Sequence, residues 1–114
     1  MNPEEKFFEY YSLVCNTISS PLRLRIIETI GKRQINVSEL QKILGVSMSN
    51  LSNNLGTLYK IGIVDRKKEG NYIYYYLSHI EILDVIGNMK KIVQLITKKR
   101  SKFLTLIEMQ NNKN

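Results

Sequence analysis

Between Asn36 and Leu77 the chain reads NVSELQKILGVSMSNLSNNLGTLYKIGIVDRKKEGNYIYYYL, and the punctuation of that stretch leaves few ways to fold it. Asn36 and Glu39 have the spacing of a capping box, so a helix opens there. Val37, Leu40, Ile43 and Leu44 supply its buried face, and Gly45 ends it after little more than two turns. Ser47 caps a second helix at once, with Leu51, Leu55 and Leu58 inward at i, i+4 and i+7. Gly62 closes it. Ile63–Lys68 then reads as a strand, Glu69-Gly70-Asn71 as a turn and Tyr72–Leu77 as a second strand, rich in strong strand formers. Ile73, Tyr75 and Leu77 share one face of that strand; Tyr72, Tyr74 and Tyr76 share the other. Two short helices around a tight break, followed by a hairpin, are the parts of a helix-turn-helix (about 36–61) with a wing (about 63–77).

The flanks are helical. Asn2-Pro3 is a cap followed by proline at the first helical position, and Phe7, Tyr10, Tyr11, Val14 and Ile18 recur at helical spacing over about 3–17. Ser20-Pro21 opens a second helix with Leu22, Ile26, Ile27 and Ile30 inward and Gly31 as its stop. Ser78 and Glu81 offer another capping box. Beyond it an apolar stripe through Ile82, Val85, Met89, Ile92, Ile96, Phe103 and Leu106, widened by Ile86, Val93 and Ile107, predicts a helix over about 79–108 before a polar tail, QNNKN. A helix of that length cannot bury its stripe against so small a body, and a partner subunit is the natural cover. The expected fold is mainly α with one β-hairpin, in a single domain spanning 1–114.

Charge narrows the function. Seventeen basic against ten acidic residues give a formal net charge of +7, which implies an anionic partner: nucleic acid, an anionic membrane surface or an acidic protein. No apolar run approaches the roughly 20 residues that span a bilayer, and the N-terminus MNPEEKFFEYY is acidic before it is aromatic, unlike a secretory signal. One cysteine, Cys15, and one histidine, His79, cannot make an intrachain disulfide or a zinc site; a reducing cytoplasm fits. There is no glycine-rich phosphate loop and no nucleophile–base pair, so an enzyme is not expected.

In a helix-turn-helix the second helix enters the major groove and presents its N-terminal residues to base edges. With Leu51, Leu55 and Leu58 inward, the opposite face carries Ser49, Asn50, Ser52 and Asn53, an uncharged reader face. Asparagine can donate to and accept from adenine together, and serine can serve base or phosphate. The cations lie around it: Arg66, Lys67 and Lys68 ahead of the Gly70 tip, with Lys32, Arg33, Lys42 and Lys60 flanking the helical pair. Such residues supply backbone affinity and its salt dependence. The candidate backbone contacts are Ser47, Lys60, Arg66, Lys67 and Lys68.

Here the chain resembles the ArsR/SmtB-type winged-helix repressors, over about residues 18–80. SSPLRLRIIETI is similar to that family's D-P-T-R-L-R-I-L helix, with Ser20 for the aspartate. NVSELQKILGVSMSNLSNNLGTLYKIGIV is similar to V-x-E-L-A-x-x-L-G-x-S-x-S-x-V-S-x-H-L-x-x-L-x-x-x-G-L-V, and RKKEGNYIYYYL to the R-x-x-G-x-x-x-Y-x-L wing. The resemblance implies a homodimer joined by its first and last helices, binding an imperfect palindrome and repressing transcription. It places Phe7, Tyr11, Val14, Val85, Met89, Ile92 and Ile96 at the dimer interface. The departures matter as well. The histidine usual before the reader-helix leucine is Asn54. The positions where metal-sensing members carry third-helix cysteines are Asn36 and Ser38. The last-helix ligand pairs fall on His79 and Glu81, then on Ile92 and Leu95. Two candidate ligands facing two aliphatics do not make a site, so neither a regulatory metal nor a cofactor is expected. The length of the last helix leaves room for a coiled-coil-like dimer.

The expected function is a homodimeric, sequence-specific, DNA-binding transcription regulator, a repressor acting by operator occupancy, with duplex DNA and a second copy as partners and no membrane. The sequence names no effector. The competing readings are a winged-helix protein-interaction module working through its last helix and a nucleoid-type protein binding DNA by backbone alone. Cys15 reads as a small buried apolar residue of the first helix. His79 reads as a partly exposed residue near a helix start, and the tyrosine run as hairpin structure. The segment KKRSK at 98–102 reads equally as a solvated face or as a grip on flanking DNA or an acidic partner.

Overall fold

A computed structural model describes residues 2–112 of the chain. Its elements are α1 (Pro3–Ile18), α2 (Pro21–Ile30), β1 (Ile35–Asn36), α3 (Val37–Leu44), α4 (Met48–Ile61), β2 (Val64–Glu69), β3 (Tyr72–Leu77) and α5 (Ile82–Asn112). They form two compact units, one ending at Leu83 and the other beginning at Asp84.

In the first unit each helix starts where a side chain satisfies an orphan backbone N–H. Asn2 Oδ1 accepts from Glu5 N at 2.9 Å, Ser20 Oγ from Arg23 N at 3.1 Å, Asn36 Oδ1 from Glu39 N at 2.8 Å and Ser47 Oγ from Asn50 N at 3.2 Å. Proline follows the cap in α1 and α2, where its missing N–H costs nothing. Gly45 takes the left-handed conformation, φ 66°, between α3 and α4, and a residue with a Cβ would be strained there. Two side chains then pin that break. Gln41 Nε2 donates to Val46 O at 3.2 Å, and Arg25 Nη2 reaches from α2 to Leu44 O at 3.5 Å.

The hairpin closes more tightly than the sequence reading had it. Glu69 pairs with Tyr72, so Glu69 belongs to β2 and the loop is only Gly70-Asn71. Gly70 has φ 61° and no non-glycine residue described has a positive φ, the pattern of a two-residue turn with glycine first. The sheet has a third strand that local sequence pattern did not show. Ile35 and Asn36 pair antiparallel with Tyr75 and Tyr74, giving the order β1-β3-β2. Asn36 therefore serves both as helix cap and as the end of a strand.

The core joins Ile26, Ile27 and Ile30 of α2, Ile35 of β1, Leu40 and Leu44 of α3, Leu51, Leu55 and Leu58 of α4, Val64 of β2, and Tyr75 and Leu77 of β3. Each fully buried aliphatic side chain contributes on the order of 1.5–3 kcal/mol. Three expectations fail here. Ile43 is 51% exposed, because α3 turns its Leu40–Leu44 edge inward and leaves Ile43 on the flank. Ile73 is exposed too, beside the hairpin tip, although it shares a face of β3 with buried Tyr75 and Leu77. Cys15 is exposed rather than buried: α1 has no buried residue at all.

Ser78 does not cap the last helix. Its backbone N–H continues the hairpin by donating to Ile63 O at 3.0 Å, and α5 begins at Ile82, after one turn in which Ile82 N meets His79 O and Leu83 N meets Ile80 O. His79 is exposed. In the second unit α5 continues without interruption to Asn112, past the end expected near Glu108. Gln110 to Asn112 of the expected polar tail are helical; residues 113–114 lie outside the described residues. No α5 side chain is buried, and Val85, Met89, Ile92, Ile96, Phe103 and Leu106 all stay exposed. Among the described residues no helix is long and apolar enough to cross a membrane.

Candidate nucleic-acid interface

The face of α4 divides as its leucines require. Leu51, Leu55 and Leu58 are 0–1% exposed, and Ser49, Asn50, Ser52 and Asn53 are all exposed on the other side. Ser47, at the helix start, spends its hydroxyl on the Asn50 N–H and lies 3.5 Å from the Ser49 hydroxyl. An N-terminus of this kind, with backbone N–H groups and hydroxyls at its positive end, suits a phosphate oxygen. The reader residues are neutral, but the helix is not uncharged throughout. Lys60 lies inside α4, in its last turn, at the end away from Ser47.

Asn54 is half-buried, unlike its neighbours. Its Oδ1 accepts from Arg23 Nε at 2.9 Å, and its Nδ2 donates to Asn50 O at 2.9 Å and to Asn50 Oδ1 at 3.0 Å. Arg23 Nη1 in turn donates to Thr17 O at 2.9 Å. One guanidinium on α2 thus holds the end of α1 and the middle of the reader helix. Sequence reasoning missed Arg23. Its one visible hint was the family's histidine replaced by Asn54, a residue that can accept from an arginine while donating onward.

The three wing cations are not equivalent. Strand alternation places Arg66 and Lys68 on the side of Val64, with Lys67 on the other. Arg66 faces Tyr75 across the ladder, its guanidinium carbon sits 4.2 Å from the centre of the Tyr59 ring, and its Nη1 donates to Tyr75 Oη at 3.5 Å. The Tyr75 hydroxyl first, and Tyr59 after it, hold the guanidinium above its ordinary pKa. A raised value adds stability that is complete below the unfolded pKa and fades only as pH climbs past the folded one, so Arg66 stays charged throughout the neutral range. Arg66 joins the wing to α4, a role the sequence reading did not give it. Lys67 Nζ is 2.9 Å from Glu69 Oε1, a partly exposed pair of small net worth. Lys68 is exposed near the tip, in neither contact. Among the described residues, no group of three or more His, Cys, Asp or Glu side chains is placed to hold a metal ion.

Comparison with known proteins bears on this arrangement. A family model described as a helix-turn-helix domain matches residues 18–67, which span α2, α3, α4 and the start of the wing. An uncharacterised helix-turn-helix-type transcriptional regulator of Mycobacterium tuberculosis, Rv0081, is 31% identical over 85 residues, 74% of this chain and 75% of its own length. Its crystal structure superposes with a TM-score of 0.74 at 28% identity, covering 88% of this chain and 98% of that one. The transcriptional repressor BigR of Xylella fastidiosa superposes with a TM-score of 0.69 at 28% identity, over 81% of this chain and 96% of that one. The homodimeric winged helix-turn-helix domain of Mb0332 from Mycobacterium bovis, described as a possible ArsR-family regulator, has a TM-score of 0.70 over 88% of this chain and 89% of its own; at 18% identity it shows the fold alone. With the capped helix pair, the hairpin and the extent of these matches in agreement, the chain belongs to the winged helix-turn-helix transcriptional regulators.

Proposed function

We propose that the chain is a cytoplasmic, homodimeric, sequence-specific DNA-binding repressor that acts by occupying its operator. The observation that carries this is the exposed, neutral Ser49/Asn50/Ser52/Asn53 face, set directly over buried Leu51, Leu55 and Leu58. A hydrogen-bonding face without charge has little to offer a nonspecific backbone binder, whose affinity comes from cations. It suits base edges in the major groove. Lys60, Lys67, Lys68 and the Ser47 end of α4 would take the phosphates, and Arg66 would keep the wing beside α4 while sharing that charge. Two reader helices in a dimer would meet successive major grooves about 34 Å apart, or a multiple of that. Relatives support repression: BigR is named a transcriptional repressor, and a protein of Agrobacterium fabrum 32% identical over 74 residues, 65% of this chain and 63% of its own length, is named a biofilm growth-associated repressor.

The dimer seam of this reading runs through Phe7, Tyr11 and Val14 of α1 and Val85, Met89, Ile92 and Ile96 of α5. Its support is that six of these seven are exposed in the single chain and the seventh, Val14, is half-buried. A chain of this size without a second copy would leave an unusually large apolar surface in water. No catalytic step, metal or cofactor enters the reading.

Selection of bound duplexes from a random pool tests it. Recovery of a palindrome supports a sequence-specific dimer. An AT-biased pool without a motif would support a nucleoid-type backbone binder instead, and no enrichment a protein-interaction module working through the exposed stripe of α5.

A further inference from the structure

The hydrogen-bond chain behind the reader helix has a direction, and chemistry alone fixes it. A guanidinium has donors and no acceptor. Arg23 Nε, 2.9 Å from the Asn54 carboxamide, can therefore meet only its oxygen. That leaves Asn54 Nδ2 turned toward Asn50, where it donates to the backbone oxygen at 2.9 Å and to the side-chain oxygen at 3.0 Å. A reversed Asn54 would set donor against donor at Arg23. A reversed Asn50 would do the same at Asn54. The ordinary ambiguity between amide oxygen and nitrogen is thus removed at both residues, and each is anchored to an arginine whose other arm holds Thr17 O at 2.9 Å.

The consequence falls on Asn50. Its Oδ1 is drawn back toward Asn54, one turn further along the helix, while its Nδ2 has no acceptor among the described residues and the side chain is exposed. The two-point pairing that discriminates adenine needs both ends of the amide, the oxygen to accept from N6 and the nitrogen to donate to N7. The Asn50 oxygen keeps a second lone pair but is held toward Asn54, so the nitrogen is the end left free to meet a base. Asn53, whose side chain enters none of these bonds, keeps both ends. We infer that Arg23, acting through Asn54, fixes Asn50 as a hydrogen-bond donor, so that Asn50 loses the two-point pairing that favours adenine and selects guanine (O6, N7) or thymine (O4) over adenine, whose N7 acceptor is flanked by an amino group, and over cytosine, which presents no acceptor there. This rests on the sequence-specific reading above and adds to it a residue, remote from the DNA-facing surface, that sets what the surface reads. Arg23 is a positioning residue: it touches no base.

The chain is tested by selecting duplexes from a random pool with wild type, Asn50→Ala, Asn54→Leu, Arg23→Met and Arg23→Lys. The position under Asn50 is the one whose preference Asn50→Ala levels. Wild type is expected to hold guanine or thymine there, by a factor on the order of tenfold. Asn54→Leu releases the Asn50 oxygen without touching α2 and is expected to shift that position toward adenine. Arg23→Met is expected to do the same, and Arg23→Lys, still a donor, to restore guanine or thymine. Melting curves show which variants are folded; should Arg23→Met not fold, Asn54→Leu carries the test alone. Loss of affinity without a change of base would mean that the network is merely structural and overturn the inference. So would adenine at this position in wild type, or an Asn50→Ala pool indistinguishable from wild type. If wild type yields no motif at all, the sequence-specific reading itself fails, and the inference with it. A motif that carries adenine under Asn50 sinks the inference alone.

Discussion

Replacing Lys68 with glutamine should change how salt weakens DNA binding, by an amount that follows from the wing. Of the three wing cations, Arg66 is stacked on Tyr59 and Lys67 is 2.9 Å from Glu69; Lys68 is exposed near the tip and in neither contact. Each phosphate neutralised on B-DNA contributes about 0.9 to the slope of log affinity against log salt. A dimer carries Lys68 twice, so Lys68→Gln should flatten that slope by roughly 1.8. Between about 50 and about 200 mM salt, wild type should then lose roughly tenfold more affinity than the variant. Glu69→Gln is the converse perturbation. It releases Lys67 from a surface pair worth at most about 1 kcal/mol and removes a negative charge from the wing, so binding should tighten, by up to about fivefold for each wing. Fluorescence anisotropy with one labelled duplex across a salt series measures both. An unchanged slope in Lys68→Gln, or weaker binding in Glu69→Gln, would remove the wing from the phosphate contacts.

Three further outcomes are expected. Met89→Glu places a charge on the exposed stripe of α5 and should give monomers by light scattering with helical content retained; a dimer of unchanged affinity would place the seam elsewhere. Tyr59→Leu removes the ring beneath Arg66, a contact worth about 0.5–1 kcal/mol at an exposed site, and should lower the melting temperature by a few degrees while speeding amide exchange in β2. Equal melting and exchange would mean the stacking does not hold the wing. Gly56→Ala should raise the melting temperature, since alanine is about 0.8–1.0 kcal/mol better inside a helix and a Cβ there meets nothing within 4 Å; a lower value would reveal a constraint on α4 beyond its own chain.

Local chemistry made most of the fold legible. Ser20, Asn36 and Ser47 cap where their side-chain oxygens can reach an N–H three residues on, and that is written into a few consecutive residues. The leucine spacing of α4 likewise fixed which serines and asparagines face outward. What escaped was long-range. β1 is two residues long and exists only because β3 lies beside it; without that strand, Asn36 reads as a cap and nothing more. Arg23 and Asn54 lie 31 residues apart, and no local pattern joins them. Ser78 has the right residues after it for a cap, but the hairpin's last hydrogen bond to Ile63 O claims its backbone first. The wing cations were visible as charges, while the partners of Arg66 were not: Tyr75 depended on strand register and Tyr59 on how the wing packs against α4. Ile43 and Cys15 were placed inside by periodicity and residue type, and both lie outside because α3 turns its Leu40–Leu44 edge inward and α1 buries none of its residues.

The most direct test of base readout by the neutral face of α4 is the ratio of affinities for a selected operator and a scrambled duplex, measured at one salt concentration for wild type and Asn53→Ala. A reader asparagine contributes about 1–3 kcal/mol of discrimination against the wrong base. The ratio should therefore fall by roughly five- to a hundredfold or more in the variant, while binding to the scrambled duplex stays as it was. Equal loss on both duplexes would mean that α4 contacts DNA without reading it.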